Sequence, residues 1–244
     1  MYTHDDHDMF PPNPDDGGTT PGYTWCTGQA GVGSRDEFNP DLMKDSLRNL
    51  LASYVGTNVS VYRCTADTRL GLYDGAYLYP GSPLIGKRVP AARTISISQA
   101  VGVVDPGFAA GGAHSGIPNL PTNGPWLTGT HGVNNATAGP YRTYGRTSQA
   151  VVPTPAQLFV VTEEEPFSLN DGSLAMSVGT PLWIDFPSTL HNMAGVLAFA
   201  DGHAELHKWS NPKMRLTSAS FNVPITVNDV DWPWLSARTS ARVQ

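Results

Sequence analysis

Residues 191–209 read HNMAGVLAFADGHAELHKW. The apolar run Val196-Leu197-Ala198-Phe199-Ala200 has the make-up of a half-buried strand, and Asp201-Gly202 follows it at once. Asp-Gly suits a two-residue hairpin turn, because such turns need positive φ, which Gly adopts freely and Asp tolerates. The chain then returns through His203-Ala204-Glu205-Leu206-His207-Lys208-Trp209. This pattern predicts antiparallel strands over 195–200 and 203–208, with Leu197 and Phe199 turned into a core. Alternation sets His203, Glu205 and His207 on one face of the returning strand. Neighbouring side chains on one strand face stand about 6.5–7 Å apart, too far for all three to reach one ion, so that face reads as polar and solvent-facing.

Outward from the hairpin, residues 156–162 (AQLFVVT) read as a buried strand, and 58–62 and 93–104 as strands with β-branched alternation. Residues 221–227 can add one more. In residues 40–54 (PDLMKDSLRNLLASY), Leu42, Met43, Leu47, Leu50 and Leu51 recur at three- and four-residue steps and predict the one main helix. Asn39 would cap its start and Gly56 would stop it. Residues 1–34 form a polar segment, and 102–140 a long loop rich in Gly, Pro and Asn, with Trp126, His131, Tyr141 and Tyr144 at its far end. The expected fold is α+β: a single domain over 1–244, built on an antiparallel sheet with one helix and long loops.

Composition agrees with a turn-rich domain. The chain has 244 residues, 40% hydrophobic and only 15% charged, with 25 Gly and 21 Pro. Its net charge of −6, with 15 scattered basic residues, argues against nucleic acid as a partner. No run approaches the ~18 apolar residues of a membrane span, and no signal-peptide pattern opens the chain.

Carboxylates are the chain's most prominent candidate chemistry. Glu163-Glu164-Glu165 follow a buried strand and Asp171 lies just beyond. In an extended chain Glu163 and Glu165 share a face. Strand-end carboxylates suit a hard cation, so Glu163, Glu165, Asp171 and the turn residue Asp201 are the candidate ligands of a calcium ion. Zinc held by histidines is not expected. The His4-Asp5-Asp6-His7-Asp8 cluster lacks calcium-loop spacing and reads as a solvated end. There is no Gly-x-Ser-x-Gly elbow, and nothing marks an enzyme. The two cysteines, Cys26 and Cys64, match no zinc spacing.

His191 stands nine residues before Asp201-Gly202, and this spacing resembles the closing signature of a bacterial prepilin-like group, the H-x9-DG family, which is similar to the pseudopilins of type II secretion. The likeness extends to MYTHDDHDMFPPN at 1–13, VYRCTAD at 61–67 (with Thr65 where the family has Pro), RTISIS at 93–98, TEEEPFSLND at 162–171 and DVDWPWLSART at 229–239. The resemblance implies a structural subunit of a pilus-like or pseudopilus assembly, periplasmic or at the cell surface. Its partners would be copies of itself or other pilin-like subunits, joined through an N-terminal hydrophobic helix that this chain lacks. The chain therefore reads as the globular domain alone. Export allows a Cys26–Cys64 disulfide, the pairing expected here, against two separately buried thiols. Calcium-binding pseudopilins add weight to the calcium reading. His191, Asp201 and Gly202 would be structural motif residues. The other function in view is an envelope domain binding a glycan, a peptide or calcium through the 102–140 loop.

Overall fold

The computed structural model describes residues 2–13, 21, 24–56, 58–104, 120–122, 124–131 and 139–244. Most of the 102–140 loop therefore lies outside the described residues, as does part of the 1–34 segment. The strands are β1 (Leu70–Leu72), β2 (Arg88–Pro90), β3 (Ile95–Ser98), β4 (Val103–Val104), β5 (Leu120–Pro121), β6 (Phe159–Glu163), β7 (Ser173–Leu174), β8 (Leu182–Trp183), β9 (Ala194–Phe199), β10 (Ala204–Lys208) and β11 (Val223–Pro224). The α-helices are α1 (Tyr2–Asp5), α2 (Ala52–Val55) and α3 (Asp231–Thr239). Five strands make the central sheet in the order β10-β9-β6-β3-β7, antiparallel except for the parallel β3–β7 pair. Three two-stranded ribbons, β1-β2, β4-β5 and β8-β11, surround it.

The molecule is β-rich, which corrects the α+β expectation. Residues 40–54 do not form the main helix: they run as successive turns and become helical only in α2. Two causes are visible. Short polar side chains compete for the backbone: Asp45 accepts from the Leu47 N–H at 3.0 Å, Asn49 accepts from the Leu51 N–H at 3.1 Å, and the Asn49 amide donates to the Met43 carbonyl at 2.9 Å. Tertiary pairing then takes the rest, since Cys26 and Asn49 form an isolated bridge and the Leu50 N–H donates to the Trp25 carbonyl. Leu42 and Met43 are buried as expected, but Leu47 is 56% exposed. The strand expected over 58–62 is instead a 3-10 turn at Val59–Tyr62. The strand expected over 93–104 is split into β3 and β4.

The hairpin forms, but its turn is one residue longer than expected. Ala204 pairs with Ala198 and Lys208 with Ala194, and the Phe199 N–H donates to the His203 carbonyl. Ala200, Asp201 and Gly202 therefore make a three-residue loop in place of the two-residue Asp-Gly turn, with Gly202 alone of the three at positive φ, +94°. Leu197 and Phe199 are buried, and together with Phe159, Leu174, Met176, Trp183, Phe186, Trp209, Met214 and Leu235 they fill one side of the sheet. The opposite side packs Ile97, Ala100, Val101 and Leu158 against Trp25, Cys26, Leu42, Met43, Tyr62, Leu127 and Tyr144. The nominally polar N-terminal segment thus supplies two deep core residues, Trp25 and Cys26, both fully buried.

Strand β10 is the sheet edge and is not uniformly solvent-facing. Leu206 is 60% exposed, whereas His207 lies under α3, its ring 3.6 Å from that of Trp234 and stacked on it. Asp229 secures the start of α3 by accepting from the Asp231 and Trp232 N–H groups, both at 3.0 Å, which satisfies donors that a helix start leaves free. No helix among the described residues is long and apolar enough to cross a membrane.

Candidate functional site

Three residues from distant segments converge beside the central sheet. Glu163 ends β6, opposite Ile95 of β3. Cys64 follows the 3-10 turn, where its N–H donates to the Thr94 hydroxyl at 2.5 Å, and the Thr94 N–H donates to the Tyr62 carbonyl. His191 sits in the tight bend before β9. In that bend Asn192 and Met193 hold φ +55° and +65°, and the His191 N–H donates to the Ala194 carbonyl at 3.1 Å. Two successive non-glycine residues at positive φ store backbone strain, and Met is a poor residue for it. The bend persists because the Trp209 N–H donates to the Met193 carbonyl at 2.7 Å and the Met193 N–H to that of Thr189 at 3.0 Å.

The geometry is tight. His191 Nε2 lies 3.1 Å from Cys64 Sγ and 3.2 Å from the Glu163 carboxylate. The three ligand-type atoms all lie within 4.8 Å of one another. Backbone groups support both partners of the ring: the Ala66 N–H donates to Cys64 Sγ at 3.3 Å, and the Val196 N–H to Glu163 Oε2 at 3.1 Å. Cys64 is buried, whereas the His191 side chain is 28% exposed, so the cluster reaches solvent on the histidine side.

This arrangement is not a nucleophilic triad. Burial, reinforced by the Glu163 carboxylate, pushes the Cys64 thiol up to about 11, so on its own it is not the thiolate that attacks substrates. A triad also needs thiol and carboxylate on opposite ring nitrogens, with the acid orienting the base. Here both face Nε2.

The four acids expected to hold calcium do not meet. Glu163 joins Cys64 and His191. Glu165 accepts from the Thr189 N–H at 3.2 Å and hydroxyl at 2.9 Å. Asp171 accepts from the Ser173 N–H at 2.7 Å, while its carbonyl receives the Arg93 guanidinium at 2.6 Å. Asp201 stays at the hairpin turn, with its carboxylate 2.6 Å from His203 Nδ1. Glu163 and Glu165 both engage the 189–196 segment, but β6 ends at Glu163, so the strand alternation expected to set them on one face stops there. Nor do the cysteines pair. Both are free and buried, Cys26 lying 3.9 Å from the Met43 sulfur and Cys64 beside His191. Each takes its own packing environment, which removes the expected disulfide.

Sequence reasoning singled out Cys64, Glu163 and His191 separately and missed their convergence. Cys64 and His191 are 127 residues apart, and no local spacing rule spans that distance. It also missed a buried acid pair, Glu164 and Asp185. Burial, and then the charge of neighbouring acids, pushes both well above the usual carboxylate range. Glu164 receives the Ser96 hydroxyl at 2.5 Å, and Asp185 receives the Ala175 N–H at 2.7 Å. Asp185 and Asp171 border a cleft of about 230 Å³ that Trp126, Gln99, Asn13 and Phe221 also line.

Comparison with protein-family models, with curated proteins and with solved structures returned no match.

Proposed function

We propose that the chain is the displayed structural domain of a pilus-like or pseudopilus assembly at a bacterial cell envelope, with no catalytic role of its own. One observation carries this reading: the segments that bear the prepilin-like resemblance, scattered through the sequence, pack about a single sheet. RTISIS contains β3, TEEEPFSLND begins in β6, the H-x9-DG stretch is β9 and β10, and DVDWPWLSART is α3 with its approach. VYRCTAD supplies Cys64, which meets TEEEPFSLND at Glu163 and the H-x9-DG stretch at His191. A motif set that forms one packed unit is what a shared structural element requires. The Cys64 cluster fails the geometry of a nucleophilic site, which supports a non-catalytic role.

The test is localisation. Antibodies raised against this chain should label filaments or pseudopilus-type structures sheared from the encoding bacterium, by immunogold electron microscopy. Label confined to the cytosol would overturn the reading. The cleft beside Trp126 supports a second reading, an envelope domain that binds a glycan, because an aromatic face flanked by amide and carboxylate groups suits a sugar ring. Glycan-array binding abolished by Trp126→Ala would favour it.

A further inference from the structure

We propose that Cys64, Glu163 and His191 bind a borderline-soft divalent metal ion of the zinc type, which ties three distant segments together beside the central sheet. The proposal stands apart from the assembly reading and needs no filament to be true.

His191 Nε2 faces two acceptors at once. His191 Nε2 lies 3.1 Å from a sulfur and 3.2 Å from a carboxylate. A neutral ring nitrogen either carries one hydrogen or presents one lone pair. If Nε2 donates to Glu163, the Cys64 thiol cannot donate to Nε2. If Nε2 instead accepts from the thiol, its lone pair also faces the carboxylate lone pairs. The Nε2–H tautomer therefore has to split one hydrogen between two acceptors, the sulfur and the carboxylate, whereas a cation between the three atoms meets a lone pair from each.

The spacing of the three atoms also fits a metal ion. Bonds of about 2.3 Å to sulfur and about 2.0–2.1 Å to nitrogen and oxygen, at tetrahedral angles, put neighbouring ligand atoms roughly 3.3–3.6 Å apart. The observed 3.1 and 3.2 Å edges lie close to that, with the third edge inside 4.8 Å. Ligand chemistry then selects the ion. A thiolate and an imidazole exclude calcium and magnesium, and one carboxylate beside them suits zinc. This replaces the calcium expectation and its four oxygen ligands.

Backbone groups hold the ligand atoms in place. The Ala66 and Val196 N–H groups donate to the sulfur and to the carboxylate, as outer-shell partners do when they orient ligands. The strained bend at Asn192 and Met193 aims His191 at the other two residues. With three protein ligands and solvent on the histidine side, water completes the shell.

Cobalt and zinc titrations of the chelator-stripped 244-residue chain test this. One equivalent of Co²⁺ should give tetrahedral d–d absorption with a thiolate-to-cobalt charge-transfer band, and zinc should displace it. Millimolar-range calcium should not. Cys64→Ser should remove the charge-transfer band and weaken zinc binding at least ~100-fold, more than loss of an outer-shell partner does. Glu163→Gln should keep the band and weaken binding. Cys26→Ser, in the other thiol environment, should change neither. Circular dichroism checks each variant's fold, and Glu163→Gln with His191→Ala decides the matter if Cys64→Ser does not fold. Absence of saturable binding, binding unchanged in every correctly folded ligand variant, or loss of the band in folded Cys26→Ser would each overturn the proposal.

Discussion

Asp74 shows how a single side chain sets a pH response. Burial, with the charges of Asp36 and Glu37 adding to it, pushes its carboxyl up to about 6. The folded chain therefore keeps a proton that the unfolded chain releases near about 3.9. Below that value both states are protonated and Asp74 costs nothing. As pH rises toward about 6 the unfolded state deprotonates first, and stability is lost across that window. Asp74→Asn retains an acceptor for the Phe38 N–H, which now donates to the carboxylate at 3.2 Å. The variant should match the wild type in urea midpoint near pH 4 and exceed it at pH 7. An equal difference at both pH values would show that the side chain acts through packing instead. The buried Glu164 and Asp185 push in the same direction, so the wild-type chain as a whole should weaken as it leaves the mildly acidic range.

At the scale of elements, the hairpin is where local sequence and tertiary structure agree. Gly202 at φ +94° meets no neighbour that a Cβ would strike, so its requirement is purely conformational. Gly202→Val should cost about 1–2 kcal/mol, the penalty for a β-carbon in left-handed backbone, measured by urea unfolding. A neutral result would mean that the turn relaxes to another type. Leu197 is fully buried within the cluster under α3. Leu197→Ala should cost about 2–5 kcal/mol through lost transfer and an unfilled cavity, and it should speed hydrogen exchange in both β9 and β10. Helix α3 closes that cluster through Leu235, and Trp234 lies on His207. Residues 40–54 are the counter-case. Their helical periodicity is real, but Asp45, Asn49 and the bridge to Cys26 outweigh a weak propensity.

For the whole molecule, the central sheet lies between two apolar clusters, one holding Trp25 and the other Trp183 and Trp209. Both clusters share β6, which places Phe159 in one and packs Val160 and Val161 against the other. Neither cluster can lose its packing without exposing that strand, so unfolding should be a single cooperative transition. Tryptophan fluorescence followed separately in Trp25→Phe and Trp209→Phe variants should give coincident midpoints. Two separated transitions would show that the clusters unfold independently.

The sequence by itself determined the hairpin, the need for glycine at 202, the buried Leu197 and Phe199, and a strand within 156–162, which forms at 159–163. These depend on contacts between near neighbours and on a two-residue alternation that any reader of the chain can count. It also singled out Cys64, Glu163 and His191 as residues worth notice, each within its own motif. Only the tertiary structure decided that these three share one point, that Cys26 and Cys64 do not pair, and that residues 40–54 turn instead of coiling. The physical reason is one of range. Convergence over 127 residues depends on how β3, β6 and β9 stack in register and on a strained bend that aims one imidazole. Those are properties of the packed sheet and carry no local signature along the chain.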